Sequence, residues 1–214
     1  MKRMMVLVLM SLSMTVYAQI PAEVTDVLKK CEQKMQPPTG TYMEMDLHVK
    51  MALIFSMNGT VASYSKGEKS FTKITVKMMG KEISTEEGYD GTQEWEYKAK
   101  IKDDDVDSLI ITRTSKKPDG EYDISLNLDK DYKKANMKVK DGKYEITFTE
   151  PKTKDTPKKT VLLINQKDYL LYELQSSMKG VSMRMTVKKV TFDVSDDVFV
   201  LDLKKYPGAK IIRK

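Results

Sequence analysis

The sequence contains one cysteine, one histidine and one tryptophan among 214 residues. A lone cysteine, Cys31, excludes an internal disulfide, so stability has to come from a hydrophobic core. A lone histidine, His48, excludes a histidine-rich metal site. Its place on the polar side of a predicted strand, beside Asp46 and Lys50, predicts an exposed side chain. We therefore expect no bound metal and no cofactor.

Motifs of the common enzyme classes are also absent. The sequence has no phosphate-binding loop, no G-x-S-x-G nucleophile elbow and no His-Glu-x-x-His zinc motif. Its acidic residues lie on the polar faces of predicted strands, without the burial that tunes carboxyl groups for catalysis. We assign no catalytic residues and expect a protein that is not an enzyme.

Long apolar runs are missing except at the start of the chain. Lys2-Arg3, the apolar stretch Met4–Leu12 and the small-residue pattern Val16-Tyr17-Ala18 are typical of a cleaved signal peptide. The apolar stretch is too short to span a bilayer. We expect residues 1–18 to be removed and residues 19–214 to form one domain that is exported to the periplasm.

Basic blocks interleaved with aromatic residues are absent, so no nucleic-acid partner is expected. Removal of Lys2 and Arg3 would leave 35 basic and 31 acidic side chains, a net charge of +4. The two signs are well mixed along the chain. This balance favours an ordinary solvated surface over one made for an anionic membrane.

One amphipathic helix is predicted, from Pro21 to Met35, ending before Pro37-Pro38. Its apolar residues recur with helical spacing, and they are Val24, Val27, Leu28, Cys31 and Met35. Cys31 lies on this apolar stripe with nothing nearby to lower its pKa. We expect it to be a buried, inert thiol.

The rest of the chain alternates apolar and polar residues with the period of two that is typical of half-buried strands. The longest alternation covers the odd positions from Met43 to Met57, and Asn58-Gly59 predicts a hairpin turn with positive φ at both residues. Further turns are predicted at Asp90-Gly91, Asp141-Gly142 and Lys179-Gly180. The fold class is mainly β (α+β), with about ten or eleven strands in an antiparallel meander.

The strand after Asp90-Gly91 carries the tryptophan. Gln93, Trp95 and Tyr97 fall on one face of it, and Glu94 and Glu96 fall on the other. We expect the apolar faces of the other strands to lie beside Trp95.

The predicted strands carry more apolar surface than one short helix can cover. The surplus has to close a barrel, pack on a second sheet or hold an apolar ligand. Several methionines lie on these faces, and their adaptable shape suits either a core or a surface for varied acyl chains. The candidate groove residues are Met43, Met45, Leu47, Val49, Met51, Leu53, Phe55, Met57, Ile74, Val76, Met78, Trp95, Tyr97, Met183 and Met185.

Two central segments, Ser65–Phe71 and Gly88–Tyr97, resemble the middle of the LolA-type outer-membrane lipoprotein carriers. Asp193–Phe199 and Leu203–Ile211 are similar, more loosely, to the closing strand and Pro-Gly tail of that family. The resemblance implies a curved antiparallel sheet forming an incomplete barrel, with an N-terminal helix and few short helices over its apolar concave face. The carriers' Arg-Pro lid element has no counterpart between Ser65 and Lys73.

The same resemblance implies a monomeric periplasmic carrier for lipoprotein acyl chains or lipid, with an inner-membrane donor and an outer-membrane acceptor. The alternative is a non-catalytic binding or sensor domain of this fold that docks another envelope protein and fills its cavity with its own side chains. An apolar opening of several hundred Å³ would favour the carrier.

Overall fold

The computed structural model of the protein describes residues 20–51, 55–78, 80–99, 107–113 and 128–214. The helices are α1 (Ala22–Met35) and α2 (Leu128–Asp131), with 3-10 turns at Asp196–Phe199 and Leu203–Lys205. The first six strands are β1 (Thr41–Met51), β2 (Phe55–Lys66), β3 (Lys69–Met78), β4 (Lys81–Tyr89), β5 (Gln93–Lys98) and β6 (Ser108–Arg113). The others are β7 (Tyr132–Lys140), β8 (Lys143–Pro151), β9 (Lys159–Asn165), β10 (Leu171–Met178), β11 (Val181–Phe192) and β12 (Lys210–Arg213).

The twelve strands of the described residues form a single sheet in the order β12-β6-β5-β4-β3-β2-β1-β11-β10-β9-β8-β7. Two antiparallel meanders, β1 to β6 and β7 to β11, are joined where β1 pairs with β11. The strands β12 and β7 lie at the two edges and do not pair with each other, so the sheet is an incomplete barrel. This confirms the predicted fold class and divides the expected meander into two.

The helix α1 forms where the sequence predicts it. Its five stripe residues are all buried in one core with residues of β1 and of β7 to β10. Cys31 is fully buried, as expected, and this burial raises the pKa of its thiol to about 12. None of the helices in the described residues is long and apolar enough to cross a membrane.

The predicted hairpin turn at Asn58-Gly59 is wrong. Asn58 pairs with His48 and Gly59 pairs with Leu47, so both residues lie inside β2, and neither has a positive φ. β1 ends at Met51, which pairs with Phe55 at the start of β2. A glycine is required at position 59 for a different reason: a Cβ there would lie 2.3 Å from the backbone oxygen of Thr75 on β3. The turns at Asp141-Gly142 and Lys179-Gly180 do have positive φ at both residues.

The sheet buries opposite faces in its two halves. Residues that pair directly across strands share a face, so Met45, Val61 and Ile74 lie together on the face that α1 covers. By the same register Tyr64, Phe71, Gly88 and Trp95 lie on the other face. The expectation that Trp95 lies beside the apolar face of β1 is therefore wrong.

The C-terminal tail, residues 193–214, covers Trp95 on that other face. Leu201, Tyr206 and Ala209 pack against the small core of Trp95, Leu109 and Ile111. The Tyr206 ring lies 4.9 Å from the ring of Tyr97, and its hydroxyl donates to Glu86 Oε2 at 2.7 Å. β12 then pairs in parallel with β6.

Ion pairs fasten the start of the tail. Lys66 Nζ and Lys69 Nζ lie 3.2 and 3.0 Å from the Asp196 carboxylate. Lys66 also donates to the Val194 carbonyl at 3.1 Å, and the Val194 N–H donates to the Thr39 carbonyl at 3.0 Å. The tail is thus tied to the β2–β3 turn and to the end of α1.

Candidate functional site

A cavity of about 780 Å³ opens on the concave face, beyond the part of the sheet that α1 covers. A helix of 14 residues is about 21 Å long, whereas the 11 residues of β1 extend over about 37 Å. One helix therefore leaves part of the concave face uncovered. The cavity occupies that part, and β1, β2, β3, β10 and β11 supply its apolar wall.

The surroundings of the apolar side chains change in three steps along β1. Met43 and Met45 are buried in the core that includes α1. Leu47 and Val49 line the cavity. Met51, at the end of the strand, is 38% exposed. The uniform alternation in the sequence thus covers a packed core, a cavity wall and an exposed edge in succession.

The structure brings together seven of the fifteen predicted groove residues. The cavity is lined by Leu47, Val49, Met57, Ile74, Val76, Met183 and Met185. Met43 and Met45 lie under α1, and Met51 and Phe55 lie exposed at the strand ends. Trp95 and Tyr97 are on the opposite face under the tail. Leu53 and the side chain of Met78 lie outside what the structure describes.

Sequence patterns did not reveal the cavity wall that comes from α2, the start of β7 and the segment between β8 and β9. It contributes Leu128, Asp131, Tyr132, Thr153, Asp155, Thr156 and Pro157. These residues lack a strand or helix period long enough to place them, so only the three-dimensional packing identifies them. The prolines and lysines of this segment are typical of a loop, but they give no sign that the loop lines a cavity.

Tyr132 holds this wall in place. Its side chain is 1% exposed. Its hydroxyl donates to the Pro157 carbonyl at 2.9 Å and lies 2.7 Å from Thr160 Oγ1. Burial raises the pKa of this phenol, so it stays protonated near neutral pH. A backbone bond of 2.9 Å from the Lys152 N–H to the Asp131 carbonyl ties the same segment to α2.

The cavity is apolar on the sheet side and polar on the side of α2. Val61 and Leu174 join the aliphatic wall, whereas Asp131, Asp155 and several hydroxyl groups stand on the opposite side. Within the described residues no cluster of three acidic, histidine or cysteine side chains comes close enough together to hold a metal ion. The arrangement provides burial for an apolar ligand and a polar margin where such a ligand meets water.

No family model and no curated protein sequence matches the chain. Among solved structures, MucB aligns with a TM-score of 0.51 at 8% identity, over 90% of this chain and 66% of MucB. An uncharacterised conserved protein from Thermus thermophilus aligns with a TM-score of 0.50 at 11% identity, over 90% of this chain and 99% of that one. A LolA superfamily protein from Nitrosomonas europaea gives a TM-score of 0.42 at 13% identity, over 84% of this chain and 98% of that one.

The fold is the one that this chain shares with MucB and with the Thermus thermophilus protein. An open antiparallel sheet with an N-terminal helix over its concave face is the arrangement that the sequence resemblance implied. At identities of 8–13% the likeness extends to the fold alone. What this domain binds has to be argued from the cavity itself.

Proposed function

We propose that the protein is a non-enzymatic carrier or chaperone that binds the acyl chains of lipoproteins or lipids in the concave-face cavity. The observation that carries this proposal is the open apolar cavity of about 780 Å³, a volume in the range of ligand pockets of about 300–1,000 Å³. A domain that filled this space with its own side chains would have no such opening.

The energetics of acyl-chain burial suit this cavity. Each methylene moved from water to an apolar wall gains about 0.8 kcal/mol, so about ten buried methylenes gain on the order of 8 kcal/mol before the cost of immobilisation. Met57, Met183 and Met185 line the wall, and their unbranched side chains adapt to chains of different shape. The polar margin keeps the ester or headgroup end of the ligand in water.

The proposal places the protein outside the cytoplasm, in the periplasm, after removal of residues 1–18. Donor and acceptor proteins in the inner and outer membranes would then load and unload the cavity, as the LolA-type resemblance implies.

The test is the capture of a fluorescent fatty acid by the purified protein, with and without a charge in the cavity. Val49→Glu places a carboxylate on the cavity wall, where an acyl chain would leave it unpaired and poorly hydrated. We expect the affinity for the probe to fall at least tenfold. Because the cavity opens to water, the carboxylate stays hydrated when the cavity is empty, and the thermal melt should change little.

Val139→Glu is the matched control. Val139 also lies on a strand, but 59% of it is exposed and it does not line the cavity. The control should bind the probe within twofold of the unaltered protein. Failure of the unaltered protein to bind any acyl probe would contradict the proposal. So would equal losses of affinity in Val49→Glu and Val139→Glu.

A further inference from the structure

The strand ends next to the cavity carry a row of exposed apolar side chains. Phe55, Met51, Val181 and Met178 stand side by side on β2, β1, β11 and β10, since Met51 pairs with both Phe55 and Val181, and Val181 pairs with Met178. They are 41%, 38%, 39% and 38% exposed in that order. We call these four residues the edge row.

The edge row continues the apolar wall of the cavity. Two residues further into each strand stand Met57, Val49, Met183 and Ser176, which pair across the same strands and line the cavity. Residues two apart in a strand share a face. Along Met57, Val49 and Met183, an apolar path therefore leads from the edge of the sheet into the cavity.

Lysines flank the edge row. Lys50 lies one residue inside the end of β1 and Lys159 is the first residue of β9, with Ser182 and Ser177 between them in the register, and their side chains are on the other face of the sheet. Lys158 and Lys179 stand at the tips of the neighbouring connections, and all four lysines are exposed. In the part of the chain that the structure describes, no ion pair neutralises any of them.

Two shallow depressions, of about 340 and 410 Å³, lie among these lysines. Both are lined by Lys50, Ser177 and Ser182. The first also contains Arg184, whose Nε lies 3.7 Å from Glu173. Ammonium and hydroxyl donors around a solvated hollow are groups that bind phosphate oxygens.

Acidic residues near the cavity belong to a different wall. Asp131 and Asp155 line it from α2 and from the segment between β8 and β9. Even there, Lys152 and Lys154 stand just before Asp155 in the sequence. The rim of the cavity that carries the edge row is thus the positive side of the opening, and we call this rim the lip.

We propose that this lip docks on an anionic lipid bilayer, with the edge row entering the interface and Lys50, Lys158, Lys159 and Lys179 meeting lipid phosphates. Exposed apolar side chains bordered by lysines are the combination that binds an anionic membrane surface. A protein partner would also cover apolar residues, but four unpaired cations call for a surface of many anions. The position of the lip gives an acyl chain a route along apolar side chains between the bilayer and the cavity.

Docking does not require a filled cavity, so it can succeed or fail apart from the carrier function. The test is flotation of the purified protein with vesicles of phosphatidylcholine alone, and with vesicles in which part of it is replaced by phosphatidylglycerol. We expect binding only to the vesicles that contain phosphatidylglycerol. Raising the salt toward 1 M, where the Debye length falls to about 3 Å, should release the protein.

Lys50→Gln combined with Lys159→Gln removes two of the four charges. A lysine near an anionic surface contributes about fivefold to partitioning, so we expect the partition coefficient to fall roughly 25-fold. Phe55→Ser combined with Met178→Ser should also lower it at least tenfold while leaving the charges in place. Because all four positions are exposed or at strand ends, the thermal melts should stay close to that of the unaltered protein.

Matched controls change the same residue types elsewhere. Lys140→Gln with Lys167→Gln removes two exposed lysines at the opposite end of the β7–β9 strands, and Val139→Ser with Val200→Ser removes two exposed apolar side chains. Both controls should bind vesicles within twofold of the unaltered protein. Equal binding to both kinds of vesicle, no binding to either, or equal losses in control and edge variants would overturn the proposal. Capture of an acyl probe without vesicle binding would leave the carrier function standing and remove the docking lip alone.

Discussion

The half of the sheet around β1 and β11 and the half around β5 and β6 both bury one apolar face, but they bury opposite faces under different covers. In the first half α1 covers part of the concave face and leaves a cavity of about 780 Å³. In the second half the tail covers the other face, and Trp95 is only 2% exposed beneath it.

The difference shows that the element packed over an apolar strand face determines whether that face becomes part of a sealed core or the wall of a cavity. An alternation with a period of two shows that a strand has one apolar face. It does not show on which side of the sheet that face lies. A tail that follows the sheet closely can seal a small core. A straight helix over a long curved sheet leaves space, and that space is where a ligand can bind.

The largest expected effect is the loss of the sealed half. Trp95→Ala should lower the free energy of unfolding by about 3–5 kcal/mol, as large-to-small changes of buried aromatic residues do. Urea denaturation followed by far-ultraviolet circular dichroism measures it. Under conditions where the variant is folded, its affinity for an acyl probe should stay within twofold. A tenfold loss of probe binding would show that Trp95 belongs to the binding half after all.

A smaller effect is expected at Gly59, in the half that contains the cavity. Gly59→Ala should destabilise by about 1–3 kcal/mol, because the added Cβ meets the Thr75 backbone oxygen and overpacks the β2–β3 contact. The control is Asn58→Thr. Asn58 is exposed within a strand, where threonine is favoured, so this change should lie within about 0.5 kcal/mol of neutral. A large cost for Asn58→Thr would instead indicate a turn with positive φ at that residue.

The smallest effect concerns the ion pairs of Asp196 with Lys66 and Lys69 at the start of the tail. Hydrogen bonds from Lys69 and Lys66 hold the pKa of Asp196 below its usual value of 3.8. A depressed pKa means that the stabilisation is complete above the unfolded-state value and is lost as the pH falls through the folded-state value. Asp196→Asn should therefore lower the denaturation midpoint slightly near pH 6, and by less near pH 2. Trp95 fluorescence reports the unfolding transition. The same midpoint difference at both pH values would contradict a stabilising role of these ion pairs.

Much of the fold follows from local patterns. The helical stripe of α1, the strand alternations and the glycine turns at Asp141-Gly142 and Lys179-Gly180 each predict their own element, because spacing and positive φ are local properties. Gly59 shows the limit of this reasoning. A glycine required by the approach of a neighbouring strand has the same sequence signature as one required by a turn.

The cavity wall could be predicted only in part, because local patterns identify some of its residues and tertiary contacts place the others. Val49 and Met183 lie on strand faces, and their pattern marks them as apolar wall residues. Trp95 shows an equal pattern, but its face is settled by a tail that is distant in the sequence. Tyr132 and Thr156 line the cavity only because tertiary contacts bring α2 and the segment after β8 to its mouth, and no periodicity reports such contacts.

Acyl chains should enter the half of the sheet that contains the cavity and not the half under the tail. Photocrosslinking with a diazirine fatty acid, followed by mass spectrometry of the peptides, tests it directly. We expect adducts on the cavity wall, at Val49, Met57 or Met183, and we expect these adducts to be lost when unlabelled fatty acid competes. Adducts concentrated on Trp95, Tyr97 or Tyr206, or no adducts that compete, would contradict it.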